Sequence, residues 1–306
     1  MSLMQVALRY CARLLLLICA SSAAAEPVQV GAALTGAVFT YTVGPGDSLT
    51  GIGARFGTEP RLLARTNGLQ SFAIIKPGQM LEVDNRHIVP AVLEDGIVVN
   101  LPQLMLFRLV SGEALSAYPI AAGKPSWRTP VGDFIVVSRE HDKTWIVPPS
   151  IQREMLLEGK PVLEEVPPGP DNPLGQFWLG LSLPGIGIHG TIAPQSIYHF
   201  QTHGCIRLHP DDIAELFAEV KKGDAGKLVY QPVLLFQAPD GTVYLEVHRD
   251  IYKKGIDANK MARELAETAG VSDRIDWEQA ASVIDAHEGV ARDVTLAANR
   301  EAHETQ

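Results

Sequence analysis

The sequence predicts a mainly β central domain, a sandwich or barrel with a short helix, between a small β-α-α-β module and a helical tail. Three observations carry this. Short apolar and alternating runs recur from Ile97 to about Tyr230, separated by turn residues. The 27 glycines and 21 prolines of the 306 residues supply those turns. Beyond Lys254 the composition shifts to Ala, Glu, Asp and Arg at helical spacing. A formal net charge of −9 offers no basic footprint for nucleic acid.

Residues 1–25 read as a secretory signal peptide. Arg9 and Arg13 give a positive start, "LLLLICA" an apolar stretch, and Ala23-x-Ala25 a small-residue cleavage site. The apolar run is too short for a membrane span. Cys19 would suit lipoprotein processing, but Ile18 before it is a poor fit for the small residue such processing needs.

Residues 39–84 form a self-contained unit. "FTYTV" alternates like a strand, and Asp47 or Ser48 is placed to cap a helix through Ile52, Ala54 and Phe56. Thr58 is expected to cap a second helix, with Pro60 in its first turn and Asn67 and Gly68 ending it. "IKPGQMLEV" closes the unit as a strand. With "YTVGPGDSL", "ARTNGL" and "IKPGQML" in this order, it resembles a LysM domain. The resemblance implies a separable module that binds N-acetylglucosamine-containing glycan, here peptidoglycan.

Residues 95–232 hold the β-rich runs "GIVVNLPQLMLFRLV", "GEALSAYPIAAG", "TPVGDFIVVSRE" and "FWLGLSLPGIGIHG". The clearest helix is "HPDDIAELFAEVKKG": Asp211 is expected to cap it, and Ile213, Leu216, Phe217 and Val220 make its apolar stripe. Residues 233–254 read as a hairpin with Asp240 and Gly241 at the turn. Residues 255–306 contain two helices. Trp277, Ala280, Ala281 and Ile284 mark a face expected to dock on the main domain.

Cleavage of the signal would remove Cys11 and Cys19 and leave Cys205 as the one thiol. Such a cysteine in an oxidising compartment is a small core hydrophobe, an intermolecular partner or a reactive group. Its setting, "YHFQTHGCIRLHPDDI", decides for reactivity. A thiol nucleophile needs a base, a group that orients the base, and donors for the oxyanion. His203 and His189, the latter in "GIHGT" at the end of a predicted strand, are the candidate bases. Gly190 and Gly204 permit close approach of backbone to substrate. The amides of Gly204 and Cys205 are expected to converge on an oxyanion, and the Arg207 fork suits a carboxylate. Zinc on His189, His199, His203, His209 and Cys205 is disfavoured, because "HFQTH" lacks the glutamate of H-E-x-x-H. Trp127, Trp145 and Trp178 are expected in the core rather than on sugar.

"IHGT", a spacer and "THGCIRLHPDD" resemble the signature of the YkuD-type L,D-transpeptidases. "IVVNLPQLMLFRL", "YPIAAGKPSWRTPVGDF" and "EEVPPGPDNPLGQFWLGL" are similar to the periplasmic ErfK/YbiS/YcfS/YnhG branch. The resemblance implies that Cys205 is the acylated nucleophile and His189 the base, with the Gly190 carbonyl fixing the imidazole tautomer. It marks His203 and Gly204 as catalytic positions, and Arg207, Thr191 and Thr202 as substrate-binding ones. Thr202 stands where Ser is commoner, and Asp212 matches a trailing structural Asp. It implies a periplasmic, wall-associated enzyme with no cofactor and no metal. Its partners would be peptidoglycan stem peptides and glycan, with no membrane span. The acyl group, taken at the third stem residue, would pass to diaminopimelate for a 3→3 crosslink, to a lysine of an outer-membrane lipoprotein, or to water. A non-catalytic peptidoglycan-binding scaffold is the alternative of another class. The spacer "IAPQSIYHFQ" is expected to line the approach to Cys205, with Tyr198 and Phe200 narrowing the acceptor channel.

Overall fold

The computed structural model describes residues 30–297. The signal segment, with Cys11 and Cys19, lies outside the described residues. The first unit comprises β1 (Ala33–Thr35), β2 (Val38–Thr42), α1 (Leu49–Phe56), α2 (Pro60–Thr66), β3 (Met80–Asp84) and β4 (His87–Val89). β2 and β3 pair antiparallel in register Phe39↔Val83 and Tyr41↔Leu81. Leu49, Ile52, Leu63 and Leu81 form the core beneath the helices. Of the two expected caps, Ser48 serves, its hydroxyl accepting the Gly51 N–H at 3.0 Å. Asp47 shapes the turn instead, taking the Gly44 N–H and the Tyr41 hydroxyl, each at 2.7 Å. Thr58 does not cap α2: Glu59 holds that position without a side-chain bond, and Thr58 is buried. Proline in the first turn leaves one less amide to satisfy there.

The central unit runs through β5 (Gly96–Asn100), β6 (Met105–Val110), β7 (Glu113–Gly123), β8 (Gly132–His141), β9 (Trp145–Ile146), α3 (Pro149–Leu157) and β10 (Glu165–Val166). It continues with β11 (Phe177–Leu181), β12 (Gly187–His189), β13 (Phe200–Thr202), β14 (Ile206–Leu208), α4 (Pro210–Glu219) and β15 (Ala225–Val229). Nine strands form one sheet in the order β13-β7-β14-β12-β11-β8-β15-β5-β6, and β7 also pairs with β6, so the sheet closes as a barrel. Phe107, Ile120, Val136, Leu179, Ile188 and Leu208 fill its interior. α4 buries Ile213 and Leu216 as its stripe requires, but its cap is His209, whose ring accepts the Asp211 N–H. Asp211 sits two positions further in, within the first turn, because Pro210 opens the helix. α3 has no buried residue and hence no apolar stripe, which is why periodicity does not reveal it.

The last unit holds β16 (Val233–Gln237), β17 (Val243–Val247), α5 (Ala258–Ala269), α6 (Trp277–Ala286) and β18 (Arg292–Asp293). The hairpin and the helices share one core, with Leu235, Leu245, Leu265, Ala266 and Ile284 in contact. The helices therefore dock on the hairpin rather than on the barrel. β18 returns as a third strand beside β17.

The three units meet at a buried carboxylate. Glu246 accepts from His87 (2.8 Å), His248 (2.8 Å), Gln103 (2.9 Å) and the Ile88 N–H (2.6 Å). The second His87 nitrogen donates to the Gly57 carbonyl at 2.8 Å. Burial opposes the charge on Glu246, yet the His87 charge and the bonds from both histidines hold its pKa down to about 2. Ala54 of α1 packs on Ala121 and Ile197, and Arg55 reaches His209 at 3.0 Å and Asp211 at 3.3 Å. The first unit is thus docked on the barrel, through the very spacer between the two motif segments, and is not the freely separable module that its sequence suggests.

Candidate active site

β12 and β14 lie side by side and parallel, pairing Ile188 with Ile206 and His189 with Arg207. Strand alternation sends both isoleucines into the core. It puts His189, Arg207 and the approach to Cys205 on the other face. Cys205 is half-buried, immediately before β14. Gly204 has φ of 111°, a left-handed conformation that favours glycine, so the chain turns sharply into the cysteine. Gly187 is required for a different reason: a Cβ there would lie 2.4 Å from the Trp178 ring.

Burial pushes the Cys205 thiol up, while a hydrogen bond from the Gly187 backbone and the Arg207 charge work the other way. Burial, joined by the Arg207 charge, pulls the His189 pKa down to about 3. His189 Nδ1 donates to the Gly190 carbonyl at 2.7 Å, so Nε2 carries the lone pair, and the Leu174 backbone also bonds the ring. The resting pair is a neutral thiol with a neutral imidazole. Trp178, the cross-strand partner of His189, stacks on its ring at 5.8 Å and 23°.

Arg207 donates through Nη1 to Ser196 Oγ at 3.0 Å, but its Nε is buried without a hydrogen-bond partner. An orphaned guanidinium N–H in the strand next to His189 is able to take a further acceptor. His203 faces elsewhere: its Nε2 donates to Glu154 Oε2 of α3 at 2.5 Å, and Lys124 Nζ meets the other oxygen at 2.7 Å. Trp127 stands edge-on to the His203 ring at 4.9 Å.

Both threonines named from the motif turn inward. Thr202 is buried, donates to the Cys205 carbonyl at 2.6 Å and accepts the Gly204 N–H at 3.1 Å. It braces the loop rather than facing substrate, and it occupies one of the two amides expected for the oxyanion. Thr191 is buried and accepts the Ala193 N–H at 3.0 Å, starting the spacer. The spacer does not line the approach as expected: Tyr198 is buried in the barrel core, and Phe200 packs edge-on against Tyr252. Tyr198, His199 and Phe200 line a 620 Å³ cleft that also touches α2 and the last unit. His209 caps α4, so the motif histidines scatter. No group of three or more His, Cys, Asp or Glu placed to hold a metal occurs among the described residues. Asp212 pairs with Arg55 at 3.6 Å, and burial lifts its pKa to about 6.

Sequence reasoning missed Glu154, Lys124 and the active-site placement of Trp178. Trp127, Trp145 and Trp178 are all half-buried, not core. Only for Trp178 was a signal present, since it falls on the same strand face as the glycines that admit it.

Comparison with known proteins identifies the two domains. The YkuD L,D-transpeptidase catalytic domain family matches residues 94–234, and the LysM domain family matches residues 41–84. The probable L,D-transpeptidase ErfK/SrfK of Escherichia coli is 32% identical over 225 residues, 72% of each chain. The probable L,D-transpeptidase YbiS of Escherichia coli is 32% identical over 186 residues, 60% of each chain. The catalytic domain of an E. faecium L,D-transpeptidase acylated by ertapenem is 27% identical, with a TM-score of 0.35, covering 45% of this chain and 98% of that one. The chain therefore belongs to the L,D-transpeptidase family, with a YkuD catalytic domain and a LysM domain.

Proposed function

We propose that the protein is a peptidoglycan L,D-transpeptidase whose nucleophile is Cys205 and whose general base is His189. The observation that carries this is the β12/β14 pairing, which sets a tautomer-locked imidazole beside the strand that presents the thiol. As Sγ bonds to the carbonyl carbon of the third stem residue, its proton passes to His189 Nε2. The tetrahedral oxyanion is met by the Cys205 N–H. Collapse breaks the peptide bond, and His189 returns the proton to the leaving amine of the terminal residue. The thioester then takes an acceptor amine, whose proton passes through His189 as the thiol is restored. Arg207 Nε, buried and unpaired, suits a substrate carboxylate. His203, Gly204, Gly190, Thr191 and Thr202 support the loop and the base rather than exchange protons.

The LysM domain brings the enzyme to glycan: Phe72 and Ile74, 91% and 92% exposed between α2 and β3, supply an apolar face for sugar rings. The signal peptide read in residues 1–25 supports a periplasmic location. No helix among the described residues is long and apolar enough to cross a membrane. The acceptor is an amine of a neighbouring stem or of a lipoprotein lysine, with water giving hydrolysis.

The test is incubation of purified protein with tetrapeptide-rich sacculi, followed by mass spectrometry of the muropeptides. A mass shift on Cys205, with 3→3 crosslinked, lysine-tethered or trimmed products, is expected for wild type. Products from Cys205→Ala would sink the assignment, and unreacted sacculi with wild type would favour the scaffold.

A further inference from the structure

Tyr252 lies beyond the residues that match the catalytic family, in the segment between β17 and α5. Yet it is 1% exposed and among the largest fully buried side chains of the described residues. Its ring is clamped: Tyr230 stacks on it at 5.3 Å, Phe200 meets it edge-on at 5.6 Å, and the Arg128 guanidinium lies 5.4 Å from its centroid. Its amide donates to the Tyr230 hydroxyl at 2.8 Å, and that hydroxyl donates to Asp250 at 2.7 Å. So firmly held a side chain delivers its hydroxyl to a defined point.

That point is one residue removed from the cysteine loop. The Tyr252 hydroxyl donates to the Gly123 carbonyl at 2.7 Å and accepts the Thr129 N–H at 3.2 Å. Thr129, buried, accepts the Gly123 N–H at 2.9 Å and donates through Oγ1 to the Gly204 carbonyl at 2.8 Å. The Gly204 carbonyl and the Cys205 N–H belong to the same peptide plane. In a trans peptide these two groups point in opposite directions, so fixing the oxygen aims the N–H. Gly204 in its left-handed conformation has wide torsional freedom, and without a tether this plane would swing. The Gly204 amide is already taken by Thr202.

We propose that Tyr252 is a positioning residue for acylation: acting through Thr129, it fixes the Gly204–Cys205 peptide plane and holds the Cys205 N–H on the developing oxyanion. The last unit of the chain thereby completes the catalytic site. This rests on the reading of Cys205 as nucleophile.

The test separates two reactions of one sulfur. Acyl transfer from a soluble stem tetrapeptide builds an oxyanion; alkylation by iodoacetamide consumes the same thiol and builds none. In full-length Tyr252→Phe, kcat for the tetrapeptide should fall about tenfold with KM within about twofold, as for a partly lost oxyanion donor. The alkylation rate should stay within about twofold of wild type, because thiol ionisation is untouched. Thr129→Val should lower kcat likewise, Thr129→Ser should restore it, and the double variant should lose no more than Thr129→Val alone. An unchanged kcat in Tyr252→Phe overturns the proposal. So does an equal fall in both rates, which would mean general loosening of the loop. Should Tyr252→Phe fold poorly, the Thr129 pair decides by the same two rates. Cys205→Ala is run alongside; turnover by that variant would overturn the nucleophile itself, whatever Tyr252 does.

Discussion

β12 and β14 lie within the barrel sheet with Ile188 and Ile206 fully buried beneath them, whereas the excursion β9–α3–β10 carries a helix that buries nothing. The strands hold His189 and Arg207 through ladder bonds on both sides, and Cys205 immediately precedes β14. The excursion leaves Leu157 81% exposed and reaches the cysteine loop through Glu154, shared between His203 and Lys124. His189 and Arg207 thus sit where movement would break a sheet, and the flanking helix sits where movement breaks two side-chain contacts to Glu154. Packing positions the strands here, and polar contacts position the helix. The two motif histidines divide the same way. His189 is buried, neutral and oriented by a carbonyl, while His203 is half-exposed and partnered by a carboxylate.

The sharpest break would come at the base. His189→Ala should lower acylation by about a hundred- to ten-thousandfold, the usual worth of general base catalysis. His199→Ala and His209→Ala should alter it little, although the second removes the cap of α4 and the contact with Arg55. Equal losses in all three, measured as single-turnover acylation rates, would mean that the strand pair is not the chemical centre.

Next in size are effects on stability. Ile197, fully buried against Ala54 and Ala121 behind the sheet, should cost about 2–5 kcal/mol when changed to Ala. Leu157→Ala on α3 should stay within about 0.5 kcal/mol, since it leaves no cavity. Urea midpoints of both variants check the contrast.

Acidification should expose the buried imidazole. His189 is lowered from 6.5 to about 3 in the folded protein. Between those values the unfolded chain binds a proton that the folded one refuses, so stability falls as pH drops through this window. His189→Gln should flatten the dependence of the urea midpoint between pH 6.5 and 4. A slope as steep as wild type would mean that the acid sensitivity arises elsewhere, Glu246 being the next candidate below pH 4.5.

The smallest effect concerns the excursion. Glu154→Gln should raise KM for stem peptide several-fold and leave kcat nearly unchanged. It should also remove the salt dependence of KM, because a half-exposed charged contact is screened in wild type. A fall in kcat with unchanged KM would mean that His203 needs its carboxylate for the chemistry.

Much of this site was legible in advance. "IHGT" and "THGCIRLHPDD" point to the residues proposed as base, nucleophile and carboxylate partner, because those residues are close in sequence as well as in space. The spacer was misread for the opposite reason. Tyr198 and Phe200 are aromatic residues beside the motif, and nothing local says that one enters the barrel core while the other packs on Tyr252.

The sequence by itself determined the β-α-α-β module, the strands with two-residue alternation, a first helix capped by Asp47 or Ser48, and the chemistry available at residues 189–207. These depend on side chains a few positions apart, and such patterns survive in any fold that the chain adopts. Only the tertiary structure decided that Glu154 takes His203, that His87 and Glu246 lock the three units together, and that Tyr252 stands behind Gly204 through Thr129. Those partners are 49, 159 and 123 residues apart, the last counted from Tyr252 to Thr129. A hydrogen bond across such a separation leaves no period and no cap signal in the chain. It exists because barrel closure and the returning hairpin place two polar groups out of water, where each must find a partner.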